Sequence, residues 1–268
     1  MKRCLFCRQQ SKKVKMTQEH VWSAWVGRLF PYKRVRFKRR TGDGEWKTWT
    51  SHAVNMTAGD VCGICNNGWM SQLESAVKDV MADMIVQGKE TDLTPKSIAP
   101  IAAFALKTAI LMDSMSGAKT SFFTAKSRRL FARNLQFPAD TQVLIFLANL
   151  ANASQHGAGT VLYDRGSTVL RSPDGSKAEL SLKYSISTWT AGQIVIQVLA
   201  VKPRRPRAIP RDIVFGIFPN EDFKAETVQI WPIPLQAGRW PCSLSLDNQS
   251  LQRFINRWNP ITIAGRKA

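Results

Sequence analysis

The sequence predicts an α+β protein whose N-terminal module is held together by cysteines. Three observations support this fold class. Two Cys-x-x-Cys pairs flank a stretch of 54 residues, apolar residues recur at helical spacing between residues 66 and 135, and strand-like alternation dominates from residue 141 onward. We therefore expect a module at residues 1–90, a helical region at 91–138 and a β-rich α+β domain at 139–268. The hydrophobic content of 44% indicates a folded core.

The charge of the chain indicates a polyanionic partner. Lys and Arg number 38 against 19 Asp and Glu, a net charge of +19. Residues 1–50 alone carry 14 basic and three acidic residues. A positive field attracts nucleic acid, and its concentration around the cysteine pairs favours nucleic-acid contact over a merely solubilising surface.

The chain shows no signal for membrane insertion or secretion. No apolar run reaches the about 20 residues of a transmembrane helix, and the N-terminus lacks the apolar core of a signal peptide. We therefore expect a cytoplasmic protein without membrane contact.

The five cysteines are too few and too unevenly spaced for a disulfide scaffold. Cys4 with Cys7 and Cys62 with Cys65 match a tetrahedral Cys4 zinc site, which has no open coordination position and is structural. The alternative is that one pair is coincidental and its thiols are free. We expect Cys242, which stands apart, to be a small buried hydrophobic residue.

The stretch between the two cysteine pairs is predicted to contain an extended segment, a short helix and a β-hairpin. An extended segment, Val14–Glu19, leads to Glu19 and His20, and one or two helical turns follow over residues 21–30. Alternating residues over 33–40 and 45–50, around the turn Thr41-Gly42-Asp43-Gly44, predict a β-hairpin. Its basic residues, with Trp46 and Trp49 between them, suit phosphate contact and base stacking; a solvated face is the equal alternative. These basic residues are Lys33, Arg34, Arg36, Lys38, Arg39 and Arg40.

Three helices are expected next. One runs from Asn66 to Gly88, a natural helix end, with an apolar face of Trp69, Met70, Leu73, Val77, Val80, Met81, Met84 and Ile85. A second begins at Thr94-Pro95 and runs to about residue 115, apolar nearly all round and therefore buried. The third covers Ala125–Leu135 and has a basic face.

The remaining chain reads mostly as strands. We expect them at Gln142–Leu150, Gly159–Tyr163, Ala178–Trp189, Gln193–Val201, Ile213–Phe218 and Thr227–Ile230. A hairpin turn is predicted at Ala191-Gly192, and a last short helix at Leu251–Trp258.

Bringing the two cysteine pairs together would gather Glu19, His20 and Asn66. A carboxylate and an amide carbonyl are oxygen ligands suited to Mg²⁺ or a similar ion, and a neutral histidine beside them can deprotonate water. Simpler roles are a helix-start acid for Glu19 and an N-cap for Asn66. His52 and His156 have no such sequence context.

The signature Glu-His…Cys-x-x-Cys-Asn-Asn resembles the HNH, or ββα-metal, endonuclease superfamily. The similarity is to its Cys4-zinc branch, typified by phage enzymes of the endonuclease VII type, and it covers about residues 4–87. Unlike commoner HNH proteins, this chain has no helix histidine at the position of Asn66 or a turn later, where Met70 stands, a departure that suits the Asn-type branch.

The resemblance implies hydrolysis of DNA phosphodiester bonds. It makes His20 the general base, and Glu19 and Asn66 the ligands of a catalytic Mg²⁺ or Mn²⁺. Asn55 would brace the histidine loop, and the supporting candidates for the metal shell are Asn67 and Glu74. The alternative function is a non-catalytic, zinc-dependent nucleic-acid-binding or regulatory protein. RNA as substrate, and a homodimer or protein partner formed through residues 139–268, stay open.

Overall fold

The computed structural model describes residues 2–29, 35–39, 45, 47–51, 56–116, 120–151, 161–171, 179–204, 213–215, 225–234, 238–256 and 263–265. The elements in its first half are, in chain order, β1 (Met16–His20), α1 (Ala24–Arg28), β2 (Val35–Arg39), β3 (Lys47–Ser51), β4 (Thr57–Cys62), α2 (Gly63–Cys65), a π-helical turn (Asn66–Met70), α3 (Ser71–Gln87), β5 (Thr91–Leu93), α4 (Pro95–Ser114) and α5 (Ala125–Asn134).

The second half is mostly strands, which confirms a protein that mixes helices with sheets. They are β6 (Gln142–Asn149), β7 (Val161–Arg171), β8 (Glu179–Ala191), β9 (Ile194–Pro203), β10 (Ile213–Phe215), β11 (Thr227–Trp231), β12 (Gly238–Trp240), then α6 (Asn248–Asn256) and β13 (Ile263–Gly265).

In the N-terminal part, β1 and β4 are partners although α1, β2 and β3 lie between them in the chain, and α2, the π-helical turn and α3 follow β4. β1 pairs antiparallel with β4, with Met16 opposite Cys62 and His20 opposite Thr57. The register shifts between Thr17 and Glu19, where β4 has one extra residue. In the stretch between these strands β2 and β3 pair antiparallel, as expected for the predicted hairpin, whose turn at residues 41–44 lies outside the described residues.

The three long helices lie where periodicity and capping residues predicted them. Gly88, with φ of 62°, ends α3, as glycine does in the left-handed C-cap position. The Thr94 side chain accepts the Ser97 N–H at the start of α4. One prediction for α3 is wrong, because Val80 is 37% exposed and lies outside the buried stripe.

A five-stranded antiparallel sheet in the order β11-β6-β9-β8-β7 forms the body of the C-terminal half. The hairpin between β8 and β9 turns at Gly192, with Ala191 opposite Ile194, which confirms that prediction. β7 is longer than its predicted five residues. Alternate side chains of β6 lie on opposite faces of the sheet and belong to two hydrophobic clusters. The cluster that includes α4 contains Val143, Ile145 and Leu147. The cluster that includes α6 contains Leu144, Phe146 and Ala148.

Two strand pairs were not expected from the sequence. β5 pairs with β12 and β10 with β13. β10 lies within the strand predicted at Ile213–Phe218, but its partner was not predicted. β5, β12 and β13 have three residues each, too short for a period of two to be recognised. The β5–β12 pair links the loop before α4 to a segment more than 140 residues away in the chain, so only tertiary contact forms it.

The hydrophobic core is continuous across the predicted boundaries at residues 90 and 138. One buried cluster contains Phe6 and Val61 near the cysteines, Leu106 on α4 and Ile196 in the sheet. By length and composition α4 could cross a membrane, but 78% of its apolar window is buried inside the protein. A core helix has the same properties, so this is weak evidence for a span.

Candidate metal centre and the adjacent carboxylates

The first cysteine pair lies in a tight turn before β1. The Arg8 N–H donates to the Cys4 carbonyl at 3.1 Å, and the Cys4 N–H donates to the Gln9 carbonyl at 2.9 Å. Arg8 has a φ of 66°, the left-handed conformation that reverses the chain. This turn places both thiols on one side of the loop.

The second pair lies where β4 passes into α2. Cys62 is the last residue of β4, and Cys65 is the last residue of α2. Backbone hydrogen bonds hold this segment to the first turn: Leu5 N–H donates to Asp60 at 2.6 Å, and Gly63 N–H donates to Lys15 at 2.9 Å. The strand pair therefore brings together two segments that are distant in the chain.

The four thiols form one compact cluster. Their sulfur atoms all lie within 4.8 Å of one another, with Cys4 to Cys65 at 3.9 Å and Cys7 to Cys62 at 3.6 Å. Sulfurs about 2.3 Å from a tetrahedral ion lie about 3.8 Å apart. The four cysteines are therefore positioned to hold a metal ion, as the sequence predicted.

The thiols also have unlike proton affinities. The hydrogen bond shared with Cys65 holds the pKa of the Cys4 thiol at about 4, and the Cys62 N–H donates to the same sulfur at 3.4 Å. The same hydrogen bond is the main cause that raises the pKa of Cys65, and burial is the second. Burial raises the pKa of Cys7 to about 11. Thiolates are the form that binds metal, so binding would release protons.

Aromatic rings and one arginine connect the cluster to α5. The Trp69 ring contacts Phe6 and Phe131 edge to face, with ring centroids 5.1 and 5.7 Å apart. The buried Arg128 guanidinium donates through Nε to the Leu5 carbonyl at 3.0 Å. The helical region therefore supports the first cysteine turn directly.

A largely buried ion-pair triad joins β1, α3 and α4. Lys107 on α4 places its ammonium 3.0 Å from a Glu19 carboxylate oxygen and 2.9 Å from one of Glu74. The side chains of Lys107 and Glu19 are 0% and 6% exposed, and that of Glu74 is 23% exposed. Burial raises the pKa of Glu19, and Lys107 opposes that rise.

Asn66 lies on the same side of this unit as Glu19. Its side-chain nitrogen donates to the Thr17 hydroxyl at 3.1 Å, and Thr17 and Glu19 are alternate residues of β1, which share a face. Glu19 and Glu74 are brought together at Lys107, whereas Asn66 is joined to β1 through Thr17 alone among the contacts of the described residues. Asn67, in contrast, is exposed.

His20 is half-buried at the end of β1. Strand neighbours point to opposite faces, and among the described residues no hydrogen bond joins His20 to Glu19, Asn66 or Glu74. Asn55, Lys33, Arg34 and Arg40 lie outside the described residues, whereas Arg36, Lys38 and Arg39 lie in β2.

Cys242 is separate from the cluster. Its sulfur lies 3.7 Å from the Leu147 carbonyl beside the sheet, and burial raises its pKa to about 12. It is half-buried and packs against the core, close to the role expected for it.

Sequence reasoning did not assign Lys107 to the site. It lies 88 positions from Glu19, in a helix that otherwise reads as core. The available signal was a single cation within an apolar helix, because a lysine at such a position needs an anionic partner.

Comparison with protein-family models, with curated proteins and with solved structures gave no significant match to this chain.

Proposed function

We propose that this protein is a metal-dependent endonuclease of the HNH type that hydrolyses DNA phosphodiester bonds. A structural zinc ion would occupy the four-cysteine cluster, and Glu19 and Asn66 would hold a catalytic Mg²⁺ or Mn²⁺. His20 would act as the general base. Residues 139–268 would bind substrate, a protein partner or a second copy of the chain.

One observation carries the proposal: the four-cysteine cluster ties the β1–β4 pair to the helical segment that follows it, and on this part of the chain Glu19 and Glu74 both contact Lys107 while Asn66 is bonded to β1 through Thr17. The cluster alone would suit many zinc proteins. The carboxylates of Glu19 and Glu74 and the amide of Asn66 add a set of oxygen ligands of the kind that a hard divalent ion prefers. A protein that only binds nucleic acid does not need that set.

Each residue has a defined task in this proposal. The side-chain nitrogen of Asn66 donates to the Thr17 hydroxyl. The side-chain oxygen of Asn66 would therefore be the atom that binds the ion. A bound divalent ion would supply charge neutralisation at the scissile phosphate and the leaving oxygen. His20, at the strand end, would take the proton from the attacking water.

The β2–β3 hairpin is the proposed DNA contact. Its strands carry Arg36, Lys38 and Arg39 opposite Thr50, Thr48 and Lys47, and Trp49 is 37% exposed. Cations along a ribbon suit the phosphate backbone, and an exposed indole suits stacking on a base.

The alternative is a non-catalytic, zinc-dependent nucleic-acid-binding or regulatory protein. The contact between Glu19 and Lys107 favours it, because a carboxylate already paired with a buried ammonium is a weaker ligand. Under this alternative the triad only fastens α4 to the strand pair.

Cleavage of supercoiled plasmid in Mg²⁺ or Mn²⁺ tests the proposal. Wild type is compared with His20→Ala and with the matched control His156→Ala, each shown to carry one zinc ion per chain. We expect nicking or linearisation by wild type and the control, and at least a hundredfold lower rate for His20→Ala.

Two results would contradict the proposal. Equal rates for wild type and His20→Ala would show that His20 is not the base or that a contaminant cuts. Salt-sensitive DNA binding without cleavage of plasmid, single-stranded DNA, branched DNA or RNA would favour the non-catalytic alternative.

A further inference from the structure

The most unusual charged group among the described residues is the Lys107 ammonium. The side chain is fully buried in the middle of α4, where lysine is rarely found unless paired. Its Nζ donates to Glu19 and to Glu74 and lies 5.0 Å from the centroid of the Phe104 ring. The neighbouring turns of α4 are apolar and buried, so no other cation near it on this helix serves the two carboxylates.

The triad has an excess of negative charge. Two carboxylates share one ammonium, so with all three groups ionised its net charge is −1. The excess is on the more open side, because the Glu74 side chain is 23% exposed against 6% for Glu19. A cation arriving from solvent would meet Glu74 first, with Lys107 already behind it.

We propose that Lys107 is the internal cation of this carboxylate pair, a positioning residue that fixes Glu19 and Glu74 when no divalent ion is bound and weakens their affinity for one. The inference rests on the proposed function in taking Glu19 as a metal ligand. An oxygen that accepts from an ammonium donates less charge to a metal ion. In a water-poor interior, the positive charge also repels a second cation with little screening.

Lys107 would thereby make α4 part of the site. The helical region supplies the group that sets metal affinity, while the N-terminal unit supplies the ligands. Any movement of α4 that withdrew the ammonium would leave two adjacent carboxylates at a net charge of −2, a stronger site for Mg²⁺ or Mn²⁺.

The test is Mn²⁺ binding to the full-length, zinc-loaded protein, measured from the electron paramagnetic resonance of free Mn²⁺. Lys107→Met is compared with wild type, with Lys107→Arg, which keeps the charge, and with Lys96→Met, which removes an exposed lysine from the same helix. We expect the Kd for Mn²⁺ to fall at least tenfold in Lys107→Met and to stay within threefold of wild type in the other two.

A second pair of variants covers a failure of Lys107→Met to fold. Glu74→Gln is compared with Glu74→Gln combined with Lys107→Met, which keeps the net charge of the triad at the wild-type −1. We expect the combined variant to bind Mn²⁺ at least tenfold more tightly than Glu74→Gln alone.

Unchanged or weaker Mn²⁺ binding on removal of Lys107, in whichever pair folds, overturns the inference. If that result accompanies His20-dependent cleavage by wild type, the proposed function still stands. Tighter Mn²⁺ binding by a protein that never cleaves supports the role of Lys107 and contradicts the nuclease proposal. Absence of Mn²⁺ binding from every variant overturns both the inference and the proposed catalytic ion.

Discussion

A metal ion held by the four-cysteine cluster should stabilise the whole protein, not only its N-terminus, so its removal should be destabilising throughout. The ion would cross-link Cys7 to Cys62 and so close a loop of 54 residues. By the chain-entropy relation for cross-links, a loop of that length corresponds to about 4 kcal/mol. Because one core runs from the cysteines into the sheet, we expect the melting temperature to fall by roughly 10 °C.

Scanning calorimetry of metal-loaded and chelated protein measures this effect, with metal content determined by mass spectrometry. Cys65→Ser should reproduce the chelated state, since it removes one of the four ligands. Cys242→Ser is the matched control, because that cysteine lies against Leu147, outside the cluster. It should keep one ion per chain and lose less than about 2 kcal/mol.

A chelated protein that melts at the temperature of the loaded one would refute the stabilising role of the ion. Loss of the ion from Cys242→Ser as readily as from Cys65→Ser would contradict its assignment to the four-cysteine cluster. A separate calorimetric transition at lower temperature in the chelated protein would contradict the continuous core. It would favour an N-terminal module that unfolds independently.

Three further predictions concern groups outside the cluster. Asp113 is buried and accepts from Tyr163 and from the Phe122 N–H, each at 2.7 Å. Burial raises its pKa above 3.8, so wild type should lose stability relative to Asp113→Asn as the pH rises from 3.8 through the raised pKa, measured by urea unfolding of both proteins. Arg128→Met should cost about 1–3 kcal/mol and speed metal loss to a chelator, because the Leu5 carbonyl loses a charged donor, whereas exposed Arg129→Met should cost less than about 0.5 kcal/mol. Gly88→Ala should lower the free energy of unfolding, measured in urea, by more than about 1 kcal/mol. The φ of Gly88 is +62°, and a Cβ there would meet the Gln193 side chain. Gly59→Ala is the control and should be near neutral, because its Cβ would meet nothing within 4 Å.

The helices and the central strands could be predicted because their signals are local. Thr94 and Pro95 mark the start of α4, and Gly88 marks the end of α3, since capping depends on backbone groups within one turn. The β8–β9 hairpin follows from two apolar runs around Ala191-Gly192. In contrast, the pairing of β5 with β12 joins residues far apart in the chain, and no local pattern encodes that contact.

The cysteine cluster was predictable for a chemical reason. Two Cys-x-x-Cys pairs have few good uses in one chain other than sharing a metal ion, and the sulfur distances agree with that use. The surroundings of Glu19 were not predictable. The Glu-His…Cys-x-x-Cys-Asn-Asn signature indicates a metal ligand, but it carries no information about a cation supplied by another helix.

The sequence by itself determined the positions of the main helices and strands, the four sulfur ligands and the concentration of positive charge near them. The elements depend on residue type and on spacing over a few residues. The cysteine cluster follows from the Cys-x-x-Cys spacing that zinc sites use. Only the tertiary structure decided that Lys107 lies between Glu19 and Glu74 and that Arg128 supports the first cysteine turn. Those contacts depend on how α4 and α5 pack against the N-terminal segments. A buried ammonium or guanidinium group needs a partner, and the fold decides which carboxylate or carbonyl is within its reach.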